Sequence, residues 1–218
     1  MKVRHNARLP LEALAPYCYS PPPATIHETE PQPISWTDVF GNGHPVEIEV
    51  GSGKGLFLVT SAQTRPEVNF LGIEVVRALQ LYVATRLAKR DLHNARMACT
   101  DARWFFRARV SAASLQAVHV YFPDPWWKAR HKKRRVFTPE FAASVAKALV
   151  PGGRLFIATD VEEYFGVMTG LVAELPALRE LERSIEDGPP RSDEVLANFE
   201  RKARQKGGKV WRASYAKV

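Results

Sequence analysis

Between Phe122 and Arg135 the chain sets one carboxylate, Asp124, between Pro123 and Pro125. Trp126 and Trp127 follow, and then Lys128, Arg130, His131, Lys132, Lys133, Arg134 and Arg135. Each of these residue types has a use on a nucleic acid. A carboxylate can hold a base edge, an indole can stack on a base, and cations can hold phosphates. The two prolines stiffen the backbone around Asp124 and pre-set its position. The plain alternative is a turn aspartate followed by a solvated charge run. Residues 128–135 hold six Lys/Arg and no acid directly beside that carboxylate, which favours RNA contact.

Upstream, Glu49, Gly51, Gly53 and Gly55 form a second constellation. A phosphate loop of the GxxxxGK[ST] kind is excluded, because position 48 is Ile and Gly55 follows Lys54. The dinucleotide pattern GxGxxG fails at Leu56. What remains, E-x-G-x-G-x-G, resembles the loop of class I S-adenosylmethionine-dependent methyltransferases. Glycines let a backbone approach a ligand closely. Glu49 is placed to accept a hydrogen bond from the ligand's ammonium. Glu74 lies 23 positions beyond Gly51, near the spacing of about 20 expected for a carboxylate that binds ribose hydroxyls. Asp101 and Ala102 add a further carboxylate step.

These residues need elements that deliver them to one place. Val46–Val50 reads as a short strand ending in glycines, and Leu56 onward as a helix up to Arg65-Pro66. Asn69–Val75 is a second strand, followed by a helical face of Val76, Leu79, Val83 and Leu87. Ala95–Cys99 is a weaker third strand. Ala117–Phe122 is nearly all apolar, as a strand covered on both faces should be. Thr138-Pro139 caps a helix carrying Phe141, Val145 and Leu149. Pro151–Gly153 ends that helix, Arg154–Ala158 is the next strand, and Val210–Ala216 alternates as a last one. Repeated β-α units predict an α/β fold with a mainly parallel sheet and helices on both faces. The resemblance of the glycine loop implies that it is a Rossmann-like class I methyltransferase with an antiparallel last strand. Ligands in such sheets bind beyond the carboxyl ends of the strands. Gly51, Glu74, Asp101, Asp124 and Asp160 immediately follow or end the predicted strands, and so share one rim. His119, inside an apolar strand, reads as a satisfied core histidine. Trp104, Phe105 and Phe106 read as core.

The chain of 218 residues suits one domain with a real core. Residues 1–45 hold eight of the 16 prolines and read as a Pro-rich N-terminal arm, leaving 46–218 as the methyltransferase domain. Arg4, His5 and Arg8 on that arm are further candidate RNA contacts. A net charge of +8 favours a polyanionic partner. Cys18 and Cys99 stand far apart with no metal-ligand spacing around them, so no metal and no disulfide are expected. No run is apolar enough to span a bilayer. The expectation is a cytoplasmic monomer or weak homodimer that binds tRNA and no membrane.

At this level the chain resembles the bacterial tRNA (guanine-N7-)-methyltransferase family. The resemblance rests on the Glu49–Gly55 loop, Gly72–Val75, Asp101-Ala102, Phe122–Trp126 with Lys128 and the basic run, Ala158–Asp160, and Asn198-Phe199-Glu200. These occur in the family's order across residues 46 to 216. It implies methyl transfer from S-adenosylmethionine to N7 of a guanine in the tRNA variable loop. N7 carries a lone pair and no proton, so no strong base is required. Alkylation charges the purine positively, and a nearby carboxylate stabilises that charge. The resemblance places Glu49, Gly51, Gly53, Glu74, Asp101, Ala102 and Asp124 at the methyl donor, with Asp124 at the reaction centre. It places Lys128 and Asp160 at the substrate, and 130–135 on RNA. The segment Ala197, Asn198, Phe199 and Glu200 would recognise the guanine. Three positions depart from the family pattern: Ala197 replaces a threonine, Trp127 a histidine or proline, and Ala129 a common lysine.

Two other classes remain open from the residues themselves. One is an RNA or DNA methyltransferase acting on an exocyclic amine, separable by mapping the methylated atom. The other is a non-catalytic RNA-binding domain on a methyltransferase fold, which the four strand-end carboxylates disfavour. A small-molecule methyltransferase would have no need of the basic run.

Overall fold

Val46–Val50 alternates apolar residues with Glu47 and Glu49, yet all five are buried. The reason is its place at the middle of a sheet. This strand, β2, pairs in parallel on one side with β3 (Asn69–Glu74) and on the other with β5 (Leu115–Tyr121). The computed structural model describes residues 9–20, 32–126, 129–187 and 207–218. With β1 (Cys18–Tyr19), β4 (Ala95–Cys99), β6 (Leu149–Thr159), β7 (Leu178–Glu186) and β8 (Val210–Lys217), they form one eight-stranded sheet in the order β1-β4-β3-β2-β5-β6-β8-β7. Pairings from β1 to β6 are parallel, and β8 runs antiparallel to both β6 and β7. Strand order reverses between β2 and β5, the switch point where a cleft opens beyond the carboxyl ends.

Helices cover both faces. On one, α3 (Leu56–Thr64) and α4 (Arg77–Ala88) pack Leu58, Val83 and Leu87 against Phe70, Ala95 and Met97. On the other, α5 (Ala102–Arg109), α6 (Pro139–Ala148) and α7 (Glu162–Ala173) bury Phe105, Phe106, Phe141, Tyr164 and Met168. The Thr138 hydroxyl accepts from the Phe141 amide at 3.2 Å, so the expected cap and N1 proline are both in place. His119, Phe105 and Phe106 are buried as read.

The structure differs from the sequence reading at four places. The 1–45 segment is not only a draped arm in its described parts. Helix α1 (Leu11–Leu14), a following 3-10 turn and β1 pack Leu14 and Tyr17 into the core, and α2 (Trp36–Phe40) adds Phe40. Pro10 and Pro16 sit at helix starts, where a missing N–H costs nothing. Strand β6 begins at Leu149, because Leu149 pairs with Leu115 across a register shift. Strand β5 ends at Tyr121, where Phe122 turns to φ 51°. Finally, β7 carries no alternating apolar pattern. It is an edge strand rich in charge, which is how edges resist further pairing. Among the described residues, no helix is long and apolar enough to cross a membrane.

Leu14 is 1% exposed within the cluster under α4. Leu14→Ala is expected to destabilise the protein by about 2–5 kcal/mol, the usual range for a core leucine. Urea denaturation checks this, and an unchanged midpoint would make the segment a loosely attached arm.

Candidate functional site

The cleft at the switch point has a volume of about 350 Å³, inside the range of roughly 300–1,000 Å³ typical of ligand pockets. The chain after β2 forms its floor. Gly51, Gly53 and Gly55 take φ values of 77°, 53° and 65°, which L side chains rarely adopt. A Cβ on Gly55 would come within 2.5 Å of Val83, so close packing on α4 also excludes a side chain there. Glu74, at the end of β3, braces this loop from the side. Its Oε2 accepts the Gly53 N–H at 2.9 Å and its Oε1 the Val76 N–H at 3.0 Å. Each carboxylate oxygen has a second lone pair, so Glu74 can serve a ligand as well as the loop.

Asp101 follows β4 and caps α5. Its Oδ1 accepts the amides of Arg103 and Trp104 at 2.8 and 3.2 Å. Burial alone would raise its pKa, but the Arg103 guanidinium and these amides outweigh burial and hold it below the ordinary value. Val75 and Val76, both exposed, Leu79 and Ala102 give the cleft an apolar lining, to which Asp101 and Arg103 add polar groups. Two carboxylates across an apolar slot fit hydroxyl and amine donors on either side of a flat ring.

Asp124 lines the far end of the same cleft with Phe122, Pro123 and Trp126. Phe122 and Trp126 both have positive φ, 51° and 42°, so the carboxylate is bracketed by two strained residues. Such conformations cost on the order of 1–3 kcal/mol each and persist only where surrounding structure imposes them. Here the imposing contacts are visible. The Phe122 N–H donates to the Ala158 carbonyl at 2.8 Å. Arg135 Nε donates to the Pro125 carbonyl at 2.7 Å, with its guanidinium 4.8 Å from the buried Tyr164 ring.

Residues 43–213 match a family model described as "Putative methyltransferase". A tRNA (guanine-N(7)-)-methyltransferase of Rhodopirellula baltica is 43% identical, covering 87% of this chain and 72% of that protein. One from Vibrio cholerae is 36% identical over 99% of this chain and 90% of its own length. This chain belongs to the tRNA (guanine-N7-)-methyltransferase family. Its sheet is also similar to that of a 16S rRNA (adenine(1408)-N(1))-methyltransferase from Catenulisporales acidiphilia. The TM-score is 0.61 at 15% identity, over 84% of this chain and 90% of that one. The 16S rRNA methyltransferase KamB gives 0.61 at 14%, over 83% and 91%. At these identities the likeness concerns the fold alone, the class I methyltransferase fold.

For a methyltransferase of this family, the expected site residues fall into three groups. Gly51, Gly53, Glu74, Asp101, Ala102 and Asp124 line one cleft, together with Arg134 of the basic run. Glu49 does not line it. It is 4% exposed behind the loop, and its Oε2 has no hydrogen-bond partner. Asp160 is exposed beyond β6 and is not among the cleft residues. Arg130, Lys133 and Arg134 are exposed on a 3-10 turn (Ala129–Arg134), and His131 packs edge-on against Trp126 at 5.7 Å. Arg135 departs from the outward placement expected of a phosphate contact, because it braces the Asp124 loop from within. Lys128, Ala197, Asn198, Phe199 and Glu200 lie outside the described residues, as do Arg4, His5, Arg8 and Trp127. Nothing is described of the Lys132 side chain. Among the described residues, no cluster of three or more His, Cys, Asp or Glu side chains is placed to hold a metal.

Sequence reasoning missed a buried chain beside the cleft. Arg65 Nη1 meets Glu47 Oε1 at 2.8 Å, and Glu47 Oε2 lies 2.8 Å from His119 Nε2. His119 Nδ1 is 2.9 Å from the Tyr121 hydroxyl. Burial would raise the Glu47 pKa, but His119 and Arg65 outweigh it and lower it. Burial lowers that of His119 against the pull of Glu47. Glu47 is therefore ionised and His119 neutral. The network assigns the proton to Nε2, donated to Glu47, while Tyr121 donates to Nδ1. Tyr121 also separates the cleft from a second cavity of about 130 Å³ reaching Phe156, Glu182 and Arg212. The sequence offered His119 as a satisfied core histidine and a glutamate at an alternating position of a buried strand, but not that the two meet.

Burial pushes Glu49 from an ordinary 4.5 up to about 8. The Glu74 charge adds to the rise, and the Ser52 hydroxyl and Leu58 amide oppose it. Between these values the folded chain holds a proton that the unfolded chain has released. Stability from this group therefore falls as pH rises through that window. Glu49→Gln keeps the shape without the titration. In urea unfolding of the ligand-free protein, the variant is expected to gain on the wild type as pH rises from about 4.5 to 8. Parallel pH curves would contradict the burial argument.

Proposed function

We infer that this chain transfers the methyl group of S-adenosylmethionine to N7 of a guanine in tRNA, in the variable loop. Membership of the family carries the reaction. The observation of this fold that supports it most directly is a single cleft holding Gly51, Gly53, Glu74 and Asp101 at one end and the strained Asp124 at the other.

In this reading the glycine floor lets the backbone approach the donor closely. Glu74 accepts from its ribose hydroxyls and Asp101 from its amine, while Val75, Val76 and Leu79 cover an apolar ring face. The donor supplies an electrophilic methyl group on a sulfonium centre. Glu49, behind the loop, keeps the floor in shape. Asp124 is held where positive charge develops on the purine, and it needs no proton transfer because N7 has a free lone pair. Pro123, Pro125 and the Arg135 bond to the Pro125 carbonyl prevent its collapse toward nearby cations. Lys128, Asp160 and residues 197–200 complete the substrate side, with Glu200 on the guanine edge. Arg130, His131, Lys132, Lys133 and Arg134 face the RNA backbone. The protein works in the cytoplasm, without a metal, as a monomer or weak homodimer.

The deciding experiment incubates the protein with methyl-labelled donor and unmodified tRNA, then analyses the nucleosides. 7-Methylguanosine is expected. Label on an exocyclic amine or no transfer would overturn the reading. In the same assay Asp124→Ala should lower turnover by on the order of 100- to 1,000-fold with the fold intact. Near-normal turnover would remove Asp124 from the reaction centre.

The basic turn makes a separate prediction through counterion release. Neutralising Arg130, Lys132 and Lys133 together should weaken tRNA binding and leave donor binding unchanged. Each lost phosphate contact removes roughly 0.7–0.9 from the slope of log affinity against log salt, so two or three lost contacts remove about two units. Filter binding across a salt series reads this, and an unaltered slope would assign tRNA binding to another surface.

A further inference from the structure

Arg103 stands on the first turn of α5 with its guanidinium between two parts of the site. Its Nε and Nη2 donate to the Asp101 carboxylate at 3.4 and 3.0 Å. Its Nη1 donates to the Lys133 carbonyl at 3.0 Å, 30 positions along the chain. Asp101 and Arg103 both line the donor cleft, while Lys133 belongs to the basic 3-10 turn. One planar fork therefore ties the cleft wall to the backbone of the turn that faces RNA.

We propose that Arg103 is a positioning residue that couples occupancy of the donor cleft to tRNA binding by the basic turn. The inference rests on the functional reading given above and adds to it a thermodynamic link between the two substrates.

The physical basis is the state of the Asp101–Arg103 pair. Its side chains are 46% and 39% exposed, and ion pairs that wet hold little in place. A ligand lying in the cleft covers Asp101 and removes water from the pair. The attraction strengthens as the local dielectric falls. The fork then loses freedom, and its remaining N–H holds the Lys133 carbonyl in a fixed position. tRNA meets a turn already ordered, so less free energy is lost in ordering it on binding. Linkage is reciprocal, and bound tRNA must raise donor affinity by the same factor.

The chemistry also says why an arginine is required. Two partners on different elements are reached by different nitrogens of one rigid fork. A lysine ammonium is a single point of charge and cannot span both. A cation whose only role was to touch phosphate would tolerate that exchange.

The test measures tRNA affinity with and without saturating S-adenosylhomocysteine, for the wild type, Arg103→Lys and Arg103→Met. In the wild type the ligand should tighten tRNA binding by about fivefold or more, the usual lower scale of such couplings. The ratio should fall to near one in both variants, the charge-preserving lysine included. Calorimetric titration of S-adenosylhomocysteine with and without tRNA should return the same wild-type factor. A wild-type ratio of one, or a lysine variant that keeps the wild-type ratio, would overturn the coupling. If the methionine variant fails to fold, the lysine variant and the wild-type ratio still decide. Absence of 7-methylguanosine from the wild-type assay would instead strike the functional reading, which these binding ratios do not measure.

Discussion

The position of β2 between β3 and β5 is the constraint on which the rest depends. Parallel neighbours on both sides align three carboxyl ends at one rim. The reversal of strand order at that point leaves the space above unfilled by any connection. Everything chemical in the molecule is hung on that gap: the glycine loop after β2, Glu74 at the end of β3, Asp101 after β4 and the Asp124 turn after β5. A strand in that position must be buried on both faces, so its two glutamates had to be accommodated rather than exposed. Glu47 is answered by Arg65 and His119, while Glu49 is kept largely protonated by burial.

Carboxylates that look equivalent as strand-end acids thus occupy four different physical states. Glu74 is a brace, with both oxygens already accepting backbone amides. Asp101 is a helix cap and half of an ion pair. Glu49 is buried without a partner for one oxygen. Asp124 is exposed on a strained turn. Water, neighbouring amides and neighbouring charges separate them. One rim therefore carries carboxylates of different charge and exposure.

The basic run is equally heterogeneous. Arg135 turns inward onto Tyr164 and the Pro125 carbonyl, and the Arg134 guanidinium lies 5.1 Å from the Trp126 ring. Arg130 and Lys133 face solvent. A stretch that reads as uniform charge therefore contains both cations that face outward and one that holds the Asp124 turn. Neutralising it wholesale would confound the two.

The sequence alone determined the α/β class, most strand positions and, apart from Glu49 and Asp160, the strand-end residues that line the cleft. Those follow from local signals: apolar runs of strand length, glycines that demand positive φ, a proline at a helix start, and carboxylates at strand ends. The family resemblance, carried by short ordered motifs, added the reaction. Tertiary structure alone decided the rest, because those features depend on residues distant in the chain. The Pro-rich segment joined the core because Leu14 and Tyr17 found Met97 and Leu87 to pack on. The charged Leu178–Glu186 became a strand because β8 offered it an edge to pair with. Glu49 left the cleft for the space behind the loop because the alternation of β2 points it away from Val50. His119 became a satisfied core residue, and Tyr121 beside it a wall of the cleft, because the side chain of Glu47, 72 positions before His119, reached it from the neighbouring strand. Periodicity reports which face a residue shares with its own neighbours. It carries no information about which distant side chain will meet it there, and that meeting sets charge, burial and strain.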